Sequence, residues 1–88
     1  MREIIDNAEY VYYFGEPSKI TMKIFIPKEV EQIDVHTNEI NFRVATPNGD
    51  TDIHHTSAVN LSGSISDSYG FHYLTIEARG GYVWLNST

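Results

Sequence analysis

Residues 20–44 read ITMKIFIPKEVEQIDVHTNEINFRV. Apolar side chains stand at Ile20, Met22, Ile24 and Ile26, again at Ile33 and Val35, and again at Ile40, Phe42 and Val44. Alternation with period two places each set on one face of an extended strand and leaves the other face polar. Pro27 lacks an amide hydrogen and closes the first run. Thr37, Asn38 and Glu39 separate the second run from the third as a hairpin loop. Three strands in succession, joined by short links, decide the reading in favour of β structure.

The same reading extends outward in both directions. A first strand is expected over Glu9–Phe14, EYVYYF, rich in aromatic and β-branched residues. Further strands are expected over Lys19–Ile26, Gln32–His36, Ile40–Thr46, Asp52–Val59, Leu61–Ile65, Phe71–Ala78 and Tyr82–Leu85. Asn-Gly within Pro47–Asp50 accepts positive φ and marks a tight turn. No window of a dozen residues is read as having helical spacing. Short strands at near-regular intervals predict an all-β fold, an antiparallel β-sandwich of seven to eight strands forming a single domain over residues 1–88. The inward set gains Leu61, Ile65, Leu74 and Ile76. Thr21, Lys23, Asp34, Asn41, Arg43, Thr75 and Glu77 are expected to face out.

Composition narrows the function classes. The chain of 88 residues has no cysteine, which excludes disulfides and thiolate metal sites. Its formal net charge is −6, and its six Lys and Arg are scattered, which argues against a nucleic-acid groove. No apolar run approaches the roughly 20 residues a membrane-spanning helix needs, and the N-terminus lacks a signal-peptide core. The chain is read as one that acts in the cytoplasm and nucleus. It is also compatible with being the C-terminal piece of a longer protein.

Little in the sequence suggests catalysis. His54 and His55 are neighbours, and neighbours on a strand point to opposite faces, so they cannot chelate one ion. His36 and His72 stand alone. No nucleophile elbow surrounds any of the serines, and no glycine-rich loop leads into a helix. Asn60-Leu61-Ser62 and Asn86-Ser87-Thr88 match the glycosylation triplet, which matters only in a secreted protein. No catalytic residue, cofactor or metal is assigned. What remains is an excess of aromatic residues over what so small a core can bury. Phe25 and Tyr73 are out of phase with the apolar faces of their strands. With Tyr82, Trp84, Lys23 and Arg43 they form the expected partner-binding set.

The order of these pieces resembles the CS domain, the sandwich shared by Sgt-type co-chaperones and similar in fold to small heat-shock proteins. The likeness is carried by residues 20–44, by LSGSI at 61–65 and by YLTIEARGGYVWLN at 73–86. It is closest to the C-terminal CS domain of PIH-type adaptors in the Rvb–Tah–Pih assembly. The resemblance implies a non-catalytic adaptor, monomeric by itself, that binds the C-terminal tail of a TPR co-chaperone. Through it the domain would reach heat-shock protein 90 and RuvB-like AAA+ ATPases, in a complex that assists box C/D small nucleolar ribonucleoprotein assembly. Two other readings stay open: a self-assembling small heat-shock-like chaperone, and a small acidic inhibitor of phage type.

Overall fold

The computed structural model describes residues 2–87. The chain opens with helix α1 (Arg2–Phe14) and continues through seven strands: β1 (Lys19–Ile26), β2 (Val30–His36), β3 (Glu39–Thr46), β4 (Gly49–Thr56), β5 (Leu61–Ser64), β6 (Gly70–Arg79) and β7 (Tyr82–Ser87). A four-stranded sheet has the order β1-β6-β7-β5, and a three-stranded sheet the order β2-β3-β4. The described residues are therefore mostly β, with two sheets and one short helix.

The helix corrects the expected strand at Glu9–Phe14. Ile4, Ala8 and Val11 recur at i, i+4 and i+7, and Ile5, Ala8 and Tyr12 at i, i+3 and i+7. That is the helical spacing the sequence reading held to be absent. Ile4, Ile5, Ala8 and Val11 are all fully buried. Each large apolar side chain so buried contributes about 1.5–3 kcal/mol, more than the strand preference of Tyr12 and Tyr13 can oppose. Gly15 ends the helix with φ 76°, and its amide donates to the Val11 and Tyr12 carbonyls. This left-handed cap, with Pro17 two residues on, is a helix stop.

The second correction concerns pairing. Most strand pairs are antiparallel, but β5 runs parallel to β7, with Leu61 beside Val83 and Gly63 beside Leu85. The link from β5 to β6 passes the end of β7, β6 carries the chain back along the sheet, and β7 returns from its hairpin in the same direction as β5. The expected strand Asp52–Val59 lies instead at Gly49–Thr56, hairpinned to β3 through Pro47 and Asn48. Beyond it, Ser57 is buried in a turn, its hydroxyl donating to the Val59 carbonyl and accepting from the Val59 amide.

The predicted inward residues pack together. Ile24, Ile26, Leu74 and Ile76 from one sheet meet Ile33, Ile40 and Phe42 from the other in one apolar cluster, with Ile20, Met22, Val35 and Val44 at its margin. The helix residues, Val59, Ala78, Val83 and Leu85 complete that cluster. Of the predicted outward set, Asp34, Asn41, Thr75 and Glu77 are half-buried rather than exposed. At one corner the Leu61 amide donates to the Thr37 carbonyl, which ties β5 to the β2–β3 turn. The helix packs against β6 and β7 and reaches β4.

Candidate binding surface

In β1 the even-numbered side chains enter the core, so Lys23 and Phe25 emerge on the outer face of the four-stranded sheet. The register sets Lys23 beside Tyr73 and Phe25 beside Phe71 on β6. The Phe25 and Phe71 ring centroids lie 5.0 Å apart, and Tyr69, from the loop before β6, meets Phe25 edge-on at 5.9 Å. These are the separations at which ring quadrupoles attract. The Lys23 ammonium stands over the Phe71 ring, 4.5 Å from its centroid. The patch is open: Phe71 is 66% and Tyr69 68% exposed. His72, on the opposite face of β6, bonds the Ser68 carbonyl at 2.8 Å and so anchors the loop that carries Tyr69.

Tyr82 and Trp84 lie toward the other end of the same sheet. Trp84 is half-buried, and the Arg79 guanidinium covers its ring at 4.0 Å. Arg79 is in turn held by Glu77, at 2.9 and 3.0 Å, and this pairing raises its pKa above the ordinary value. An indole face occupied by a paired guanidinium is less available to a partner than the open rings of Phe25 and Phe71.

Arg43 lies on the other sheet. It is bonded to Asp52 across β3 and β4 at 3.3 Å, with Asp34 on β2, Asp50 on β4 and Glu39 on its own strand as the acids of the same face. Of the six expected contact residues, the structure therefore brings Lys23, Phe25 and Tyr73 together, sets Tyr82 and Trp84 apart on the same sheet, and removes Arg43 to a different surface. Phe71 and Tyr69 were missed. Phe71 keeps step with Tyr73, and that phase was the signal available for it.

The histidines do not converge. His54 approaches Glu39 at 3.4 Å on the outside of its sheet, whereas His55 faces inward, its ring edge-on to Phe42 at 5.8 Å. Among the described residues no three His, Cys, Asp or Glu side chains are grouped to hold a metal ion. No helix among them is long and apolar enough to cross a membrane. No protein-family model, curated protein or solved structure matches this chain.

Proposed function

We propose that the chain is a non-catalytic protein-binding module whose working surface is the outer face of β1 and β6. One observation carries this reading: four aromatic side chains, Phe25, Tyr69, Phe71 and Tyr73, are massed in solvent around one lysine. Rings left in water at such density are costly unless another chain covers them, and aromatic residues are enriched at interface cores.

The specific form of the proposal follows the family resemblance. The two sheets are read as a CS-like sandwich, and the domain as a monomeric adaptor of cytoplasm and nucleus. It takes up the extended C-terminal tail of a TPR co-chaperone, with Lys23 meeting a tail carboxylate and the rings gripping apolar side chains. The initial helix and the parallel β5–β7 pair are additions to the antiparallel sandwich that the resemblance implies. The test is titration of the isotope-labelled chain with such a tail peptide. Amides of Lys23, Phe25, Phe71 and Tyr73 are expected to shift, and a Phe25→Ser/Phe71→Ser variant is expected to lose the response while staying folded. An unperturbed spectrum at high-micromolar peptide overturns the tail reading.

A further inference from the structure

We propose a second, independent docking site on the free edge of β4, and that its occupant is an extended segment of a partner chain in which basic residues alternate with apolar ones. In the three-stranded sheet β4 has β3 on one side and, among the described residues, no strand on the other. The Ser57 amide donates to the Asn38 carbonyl in register with the β3–β4 ladder. Odd-numbered residues of β4 therefore bond β3, and Asp52 and His54 turn their amides and carbonyls outward. An edge of this kind is a template for an added strand.

Natural sheets protect such edges with bulges, lysines or very short strands. The other edges here follow that practice. β2 is bulged between Val30 and Gln32, β5 has only four residues, and β1 carries Lys19 and Lys23. β4 is eight residues long, regular and free of proline and lysine.

Its side chains specify the occupant. On the inner side, beside the edge, a hollow of about 440 Å³ is lined by Val30, Phe42, Val44, Ile53 and His55, with Pro27 and Glu29 at the β1–β2 link. Ile53 is 43% exposed there. A strand added to β4 would drop its alternate side chains beside Ile53, and apolar ones fit that lining. On the outer side the edge presents Asp50 and Asp52, the latter bonded to Arg43 on β3. Glu31 sits at the bulge of β2, and the neighbouring Asp50 carboxyl raises its pKa above the ordinary value. Three carboxyl groups beside the single Arg43 guanidinium leave an excess of negative charge that favours a further cation. The same acids disfavour a second copy of the chain in the registers centred on Thr51 or Asp52, where an antiparallel β4–β4 pair sets aspartate against aspartate.

The site lies on a different sheet from the aromatic patch, so the two proposals stand or fall separately. The test uses the full chain and a synthetic peptide of about nine residues alternating Lys with Val or Ile, long enough to match the strand. Binding is expected to shift the amides of Asp52, Ile53 and His54 and to protect those of Asp52 and His54 from exchange. Asp50→Lys/Asp52→Lys is expected to weaken the basic peptide about tenfold or more and to accept a Glu/Val peptide instead. Ile53→Lys, which alters only one half-exposed side chain, is expected to weaken the basic peptide as well. Four outcomes overturn the proposal: no shifts at millimolar peptide; shifts confined to Lys23, Phe25, Phe71 and Tyr73; equal binding of both peptides; or β4 shifts that depend on protein concentration without peptide, which would make a second copy the occupant.

Discussion

At Gly63 the structure depends on the absence of a side chain. Its φ is 102°, and a β-carbon built there would lie 1.9 Å from the Leu85 carbonyl oxygen. At this φ the direction a β-carbon would take turns out of the face of the sheet and into β7, whose Leu85 lies beside Gly63 in the parallel pair. Alanine would have to adopt a backbone conformation that L-residues avoid and also push the β7 backbone aside. The neighbour that must give is main chain in a central strand, flanked by the buried Val83 and Leu85. Gly63→Ala is expected to cost about 3 kcal/mol or more, a large share of the stability of a domain this small. Urea unfolding followed by Trp84 fluorescence would measure it, and an unchanged midpoint would contradict the close approach.

Among the elements, legibility followed the spacing of apolar residues. β1 was read to its observed ends because four apolar residues alternate and Pro27 stops them. The β3–β4 turn was marked by Asn-Gly. The helix was missed because its first buried residues, Ile4 and Ile5, precede the aromatic run that drew attention, and Tyr10, Tyr12, Tyr13 and Phe14 imitate a strand by composition. Its stop signal, Gly15 followed by Pro17, was visible but fits a turn equally well. The parallel pairing of β5 was not legible, since alternation says which face a residue takes and not which strand lies beside it. The binding surface was half legible for the same reason: phase placed Phe25 and Tyr73 outward, but only the β1–β6 register brings Phe71 and Lys23 to them. The helix now carries a clear expectation. Ile5 is fully buried under it, so Ile5→Ala should destabilise the whole domain by about 2–5 kcal/mol. Were α1 a loosely attached arm, the same change would leave the guanidinium unfolding midpoint where it was.

Across the whole molecule, charge and aromatic surface are segregated. The outer face of the four-stranded sheet offers rings with Lys19 and Lys23 nearby, while the β4 side offers Asp50, Asp52 and Glu31 on a chain of net charge −6. Two surfaces held by different forces should respond differently to salt. The screening length shrinks from about 10 Å at 0.1 M ionic strength to about 3 Å at 1 M, which removes most of the attraction between an acidic edge and a basic strand. Burial of aromatic rings gains nothing from low salt and is not weakened by screening. Raising sodium chloride from about 0.05 M to about 0.5 M should therefore weaken the Lys/Val peptide at β4 roughly tenfold, chiefly through slower association. The same change should leave a tail held by Phe25 and Phe71 within about twofold, apart from the share contributed by Lys23. Calorimetric titration of both peptides at the two salt levels would read this directly. Equal salt sensitivity at the two sites would mean that the aromatic face works through its lysines rather than its rings, and the division of forces between the sheets would fail.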